Sequence, residues 1–185
     1  MTRDLIPPRF ADAESDLPQV EQWCASVLQG ESARMLLLGP IFSGKTHTAF
    51  AALRRLLSFG YPRHRIAVYS ASVGGLGENY ETEMIDAGPR VIFLDNLTDP
   101  VDNHVGVKVE LEVDEPLTQA ALALSRAVAV DAADRLASRA NTSWICCGSG
   151  RDALRTCLGK DVAEKLLAVA DVVELPERPR PDVRW

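Results

Sequence analysis

The chain lacks long hydrophobic runs: no apolar stretch in its 185 residues approaches the roughly 18 residues of a membrane-spanning helix. Its amino terminus is charged and contains prolines, so neither a signal peptide nor a transit peptide is expected. Histidine and cysteine are scarce, at 3 and 4 residues, and neither shows metal-ligand spacing. These absences predict a cytoplasmic protein with reduced thiols, no membrane contact and no histidine or cysteine metal site.

Basic residues are outnumbered by acidic ones. The chain has 20 Lys and Arg against 26 Asp and Glu, a net charge of −6, which argues against coating nucleic acid by bulk charge. One basic cluster stands out, with no acidic residue between positions 51 and 65: Arg54, Arg55, Arg63, His64 and Arg65. It is either a local basic patch or a solvated helix end whose cations favour the carboxyl-terminal dipole, and the second interpretation is the commoner one.

Five short apolar runs alternate with helical stretches. The runs cover residues 34–39, 66–71, 90–95, 143–148 and 171–175, and helices are predicted over 18–29, 45–59, 117–139 and 161–169. Short apolar strands separated by helices predict an α/β fold, with a five-stranded parallel sheet between helices. The length predicts one domain over 1–185, which begins with an amino-terminal segment and helix over 1–30.

A glycine-rich loop follows the first predicted strand. It consists of Gly39, Pro40, Ile41, Phe42, Ser43, Gly44, Lys45 and Thr46, the G-x-x-x-x-G-K-T pattern of a P-loop. Backbone N–H groups of such a loop wrap a polyphosphate, and the next helix points its positive end at it. We expect these residues to bind ATP, with Lys45 reaching the β- and γ-phosphates and Thr46 ligating Mg²⁺.

The strand over 91–95 is a Walker B pattern, because four apolar residues precede a carboxylate. Asp95 is expected to reach the Mg²⁺ through water. One helix and one strand lie between the P-loop and this strand in the chain. That spacing indicates the P-loop branch in which another strand separates the Walker A and Walker B strands, the branch of RecA-like and AAA+ ATPases.

Asn96 stands where a second carboxylate usually polarises the attacking water. An amide can hydrogen-bond water but cannot accept its proton, so Asn96 predicts slow hydrolysis with binding intact. Asp99 is a less favoured substitute. At the end of the fourth strand, Ser149 is the candidate sensor of the γ-phosphate; a plain Gly-Ser-Gly turn is the equally supported alternative.

Residues 97–115 are predicted to be an insertion. Apolar and acidic or basic residues alternate over 107–114, which predicts an extra strand with one wet face, paired in a hairpin with residues near 100–105 or added at a sheet edge. Such a strand could dock another protein. A decorative insertion is at least as well supported.

Three segments together resemble the bacterial helicase-loader type of AAA+ ATPase, a group that includes the ATP-binding helper subunit of insertion-sequence transposases. They are residues 5–10 (Leu-Ile-Pro-Pro-Arg-Phe), the loop through His47, and residues 93–97 (Phe-Leu-Asp-Asn-Leu). The closing helix and strand over 162–167 and 172–175 are similar as well. The resemblance implies an AAA+ core lacking a full lid domain, with Arg9, Phe10 and His47 near the nucleotide.

The resemblance also implies ATP-dependent assembly into a homo-oligomer, contact with single-stranded DNA, and a replicative helicase or a transposase as partner in DNA replication or transposition. Lys165 stands where the family has an arginine finger, and lysine lacks the planar, two-pronged contact of arginine. Together with Asn96, it allows at most weak ATPase activity.

Two alternatives remain open. A nucleotide-gated adaptor with little or no ATPase activity would use ATP to hold one shape and dock a protein partner. A small-molecule kinase would need an acceptor pocket and an arginine-rich lid, but the only arginine-rich segment is a tail over 178–181 that is expected to be exposed.

Overall fold

The computed structural model describes residues 5–70, 90–98 and 115–177. The predicted strand over 107–114, its hairpin partner, Asp99 and the arginine-rich tail lie outside these residues. Within them, no helix is long and apolar enough to cross a membrane.

The core of the molecule is a five-stranded sheet with the order β2-β3-β4-β1-β5. Its strands are β1 (Arg34–Leu38), β2 (Ile66–Ser70), β3 (Val91–Asp95), β4 (Ser143–Gly148) and β5 (Asp171–Glu174). Every neighbouring pair is parallel. Because β4 lies between β1 and β3, a strand separates the P-loop strand from the Walker B strand, as the sequence predicts.

Among the described residues, five α-helices accompany the sheet: α1 (Pro18–Leu28), α2 (Lys45–Ser58), α3 (Glu115–Ser138), α4 (Arg151–Leu158) and α5 (Lys160–Val169). The strands send alternate residues to two separate cores. Met35 and Leu37 pack in the same cluster as residues of α1 and α2. Leu36 and Leu38 pack in the cluster that contains residues of α3, α4 and α5. The predicted α/β fold with a parallel sheet between helices is therefore confirmed.

Two details differ from the sequence prediction. Helix α4 was not predicted, because its eight residues follow a Gly-Ser-Gly segment that is typical of a turn; Leu154 and Leu158, four residues apart, anchor it to the core. The sequence also predicts one apolar stripe on α1 from Val20, Trp23, Val27 and Leu28, but Leu28, the last residue of the helix, is 42% exposed. Cys24, which is not in that set, is buried.

Candidate functional site

The P-loop connects β1 to α2 at the carboxyl edge of the sheet. The Gly39 N–H donates to the Gly148 carbonyl at 3.1 Å, which ties the start of the loop to the end of β4. A Cβ atom on Gly39 would lie 2.5 Å from the Leu175 carbonyl oxygen and 2.7 Å from Ser43 Oγ. Only glycine fits at this position. Gly44, with φ 95°, turns the chain into α2 in a left-handed conformation that glycine adopts without strain.

The loop concentrates hydrogen-bond donors. Lys45 Nζ donates to the carbonyl oxygens of Gly39 at 2.6 Å and Pro40 at 2.7 Å, so the ammonium group lies across the mouth of the loop. Ser43 Oγ is buried and has no hydrogen-bond partner among the described residues. The N–H groups of the first turn of α2 also face this end of the helix. An anion at this position would meet an ammonium, a helix dipole and an orphaned hydroxyl.

Thr46, in the first turn of α2, contacts Asp95, the last residue of β3. Thr46 Oγ1 donates to Asp95 Oδ2 at 3.0 Å, although the two residues are 49 positions apart. A hydroxyl and a carboxylate at the edge of a phosphate-binding loop are the oxygen ligands that Mg²⁺ prefers. The two predicted metal ligands are thus adjacent.

Burial raises the pKa of Asp95 above its ordinary value. Hydrogen bonds from Thr46, the Asn96 N–H and the Cys147 thiol oppose this rise, as does the charge of Lys45. Burial also raises the pKa of Cys147 well above its usual value, so this thiol keeps its proton and acts as a donor. No pattern in the sequence points to Cys147, because its contact with Asp95 depends on the pairing of β3 with β4.

Asn96 follows β3 in a left-handed conformation with φ 61°, which asparagine tolerates better than most residues. Its N–H donates to Asp95 Oδ1 at 3.0 Å. Across the edge, the Ser149 N–H donates to Thr98 Oγ1 at 2.7 Å. Leu97 and Thr98, the first two residues of the predicted insertion, are buried, and the Leu97 N–H donates to the Cys147 carbonyl at 3.0 Å.

Arg9, Phe10 and His47, which the resemblance places near the nucleotide, lie close to the first turns of α2. Phe10 stacks on Phe50 with ring centroids 4.5 Å apart, and its edge approaches His47 at 6.4 Å. The Arg9 guanidinium lies 4.8 Å from the centre of the Phe10 ring. The short 3₁₀ turn Pro8–Phe10 is therefore anchored to the helix that follows the P-loop.

Two predicted site residues, Phe42 and Lys165, are exposed on the surface. Phe42 is 55% exposed at the tip of the loop, with φ 66°, and its neighbour Ile41 is 49% exposed. Lys165 is an exposed residue of α5 and forms an ion pair with Asp134 of α3, 2.7 Å from Nζ to Oδ1. Its place on the surface leaves it accessible to a neighbouring molecule.

The strand order and the loop geometry define a P-loop nucleotide-binding fold of the type in which one strand separates Walker A from Walker B. No protein-family model matches the chain, and no curated protein matches it by sequence. The fold is nevertheless found in solved structures.

The DnaC helicase loader superimposes with a TM-score of 0.56 at 14% identity, over 91% of this chain and 99% of that one. DnaI gives 0.53 at 15% identity, over 97% and 95%. The replication initiator DnaA, bound to AMPPCP and single-stranded DNA, gives 0.53 at 13% identity, over 93% of this chain and 51% of its own. The chain thus spans about half of DnaA and nearly the whole of the DnaC and DnaI structures. Its fold is similar to the folds of these three proteins.

Proposed function

We propose that this chain is an ATP-binding protein of the helicase-loader type, which assembles with ATP and contacts DNA or a replicative helicase. A transposase is the corresponding partner if the protein serves transposition. The observation that carries the proposal is the P-loop with its Thr46–Asp95 contact, set in a fold that covers 99% of the DnaC loader structure. The proposal therefore rests more on the geometry of the nucleotide site than on the similarity of fold, which is found at 13–15% identity.

The residues of the loop fit ATP with Mg²⁺. The orphaned Ser43 hydroxyl and the space that a Cβ on Gly39 would fill are features of a cradle for phosphate oxygens. Lys45 Nζ would exchange the Gly39 and Pro40 carbonyls for phosphate oxygens, and Thr46 and Asp95 would hold the cation. Bound Mg²⁺ supplies charge neutralisation to the phosphates. Phe10, Arg9 and His47 would border the base.

Three further residues receive proposed roles in turnover. Asn96 would orient a water molecule without taking its proton, Ser149 would sense the terminal phosphate, and Lys165 would supply a positive charge to a neighbouring subunit. This set predicts tight binding with slow hydrolysis.

The proposal is tested by ATP binding and hydrolysis measured on one purified sample, with and without single-stranded DNA. Lys45→Ala should weaken ATP binding about tenfold or more, because the charged contacts of Nζ to phosphate are lost. Lys160→Ala, at an exposed lysine of α5, is the matched control and should bind as the wild type does. Equal ATP binding by wild type and Lys45→Ala, or no ATP binding at all, would refute the proposal.

A second candidate is the nucleotide-gated adaptor without useful hydrolysis, and Asn96 favours it. If only the missing carboxylate prevents turnover, Asn96→Asp or Asn96→Glu should raise the hydrolysis rate by ~10²-fold, the lower range for a general base. Gln22→Glu adds the same charge at an exposed site of α1 and should leave the hydrolysis rate unchanged. Brisk hydrolysis by the wild type would rule the adaptor out.

A further inference from the structure

A polar cavity of about 700 Å³ opens at the amino edge of the sheet, away from the P-loop. The segments that precede four adjacent strands all contribute to its lining. Each segment contributes one charged residue: Arg65 lies directly before β2, Arg90 directly before β3, Arg139 in the connection before β4 and Glu31 in the connection before β1. Tyr61 and Asn141 are among the uncharged polar residues that line it. We refer to this site as the arginine cavity.

Backbone contacts hold the arginine cavity in shape. The Ser143 N–H donates to the Arg90 carbonyl at 2.8 Å. The Ser143 hydroxyl donates to the Glu31 carbonyl at 3.2 Å and accepts from the Ala33 N–H at 3.0 Å. Three of the four contributing segments are therefore tied to one buried serine, so the cavity is organised before any ligand arrives.

Two arginines of the cavity, Arg65 and Arg90, form no ion pair within the described part of the chain. Burial raises the pKa of Tyr61, and the nearby charges of these two arginines oppose that rise. Among the described residues that line the cavity, Glu31 is the only carboxylate. The cavity is a local positive site on a chain of net charge −6.

The contacts also divide the basic cluster of the sequence into two groups. Arg54 pairs with Glu14 at 3.5 Å and Arg55 with Glu21 at 2.9 Å, so these two arginines are compensated. Arg65 is exposed and points its charge at the cavity side, near Tyr61. Arg55 also lies in the last turn of α2, where its charge favours the helix dipole, as the commoner interpretation of the cluster predicts.

Guanidinium groups bind phosphate through two parallel hydrogen bonds, and aromatic rings stack on unpaired bases. The cavity offers two exposed arginines beside the half-buried ring of Tyr61. We propose that the arginine cavity binds the phosphates of a single-stranded nucleic acid. The arginine cavity would then be the site of the DNA contact in the proposed function, on which this proposal rests.

The test uses a fluorescently labelled oligothymidylate and the full chain without nucleotide, with binding followed by anisotropy across a salt series. Arg65→Gln/Arg90→Gln should raise the Kd about tenfold or more. The slope of log K against log salt should fall by about 1.4, at roughly 0.7 for each phosphate contact on a single strand. Arg54→Gln/Arg135→Gln removes the same charge from arginines that are ion-paired in the structure, and it is the matched control.

Each other outcome overturns the inference in a distinguishable way. An equal loss in both double variants would mean that bulk charge drives binding. Undiminished binding by Arg65→Gln/Arg90→Gln would place the DNA contact elsewhere and leave the proposed function standing. A wild type that binds ATP but no oligonucleotide would refute the DNA contact of the proposed function as well. Displacement of the oligonucleotide by millimolar inorganic phosphate at matched ionic strength would identify a small-anion site instead.

Discussion

At the scale of single residues, backbone strain collects at the candidate nucleotide site. Among the described residues, Phe42 and Asn96 are the two non-glycine residues with positive φ, at 66° and 61°. One lies at the tip of the P-loop and the other directly after the Walker B carboxylate. Such conformations cost on the order of 1 kcal/mol each and persist at ligand-binding sites. The strain agrees with the proposed role of both segments in nucleotide binding.

Asp95 allows a prediction about pH. Because burial raises its pKa in the folded protein, the folded state keeps this proton at pH values where the unfolded chain has lost it. Its contribution to stability therefore declines as pH rises through the folded pKa. Asp95→Asn does not titrate, so the difference in free energy of unfolding between this variant and the wild type should shift in favour of the variant as pH rises above about 4, the ordinary pKa of Asp, without Mg²⁺ or nucleotide.

The measurement is urea denaturation at a series of pH values. Asp152→Asn, at an exposed carboxylate of α4, is the control for loss of one negative charge. A difference between Asp95→Asn and wild type that stays constant with pH would contradict the prediction. The same variant should lose Mg²⁺-dependent ATP binding if Asp95 serves the cation.

At the scale of secondary-structure elements, Trp23 connects α1 to the sheet. Its Nε1 donates to the Ala33 carbonyl at 3.0 Å and the Trp144 carbonyl at 3.2 Å, so one indole contacts the segment before β1 and the strand β4. The ring itself is 3% exposed. The helix thus relies on a polar contact as well as on its apolar stripe of Val20, Trp23 and Val27.

Trp23→Phe keeps an aromatic ring but removes the donor. It should lower the free energy of unfolding by about 1–3 kcal/mol, because the buried Trp144 carbonyl and the part-buried Ala33 carbonyl each lose a donor and the smaller ring packs less well. Leu28→Ala, at the exposed end of the same helix, should change it by about 0.5 kcal/mol or less. Urea denaturation measures the free energy of unfolding of both variants. Equal losses in the two would show that the indole donor is unimportant.

At the scale of the whole molecule, the strand order assigns different edges of the sheet to different tasks. The P-loop and Asp95 lie at the carboxyl edge, and the arginine cavity lies at the amino edge. A third surface, formed by α3, α4 and α5, carries the exposed ion pairs Lys165–Asp134 and Arg155–Glu164. A neighbouring subunit could meet this surface without covering either edge.

Lys165 gives the prediction at this scale. If it supplies charge to the nucleotide of a neighbouring subunit, Lys165→Ala should reduce ATP-dependent self-association and turnover while leaving the Kd for ATP unchanged. Lys165→Arg should match or exceed the wild type, because its planar fork contacts phosphate through two bonds. Sedimentation velocity with and without ATP measures the assembly, and Lys160→Ala is the control. A loss of assembly by the control as well would point to nonspecific charge effects.

Much of the fold was predictable because its signals are local. The sequence predicts strands β1 to β5 and helices α1, α2, α3 and α5 within one or two residues of their ends. For β1, β3 and β4, burial on both faces leaves a continuous apolar pattern. Helix α4 was missed because eight residues after a turn-like segment carry too little periodicity. The family resemblance was confirmed as a likeness of fold.

The sequence alone determined the P-loop, the position of Asp95 and the separation of Walker A from Walker B by another strand, because each depends on neighbouring residues or on the order of elements. Only the tertiary structure decided which distant groups meet. Thr46 contacts Asp95, Cys147 donates to the same carboxylate, and Ser149 is held by Thr98. Arg65 and Arg90 converge in one cavity for the same reason: parallel pairing aligns the ends of strands that lie far apart in the chain, and no local pattern encodes that register.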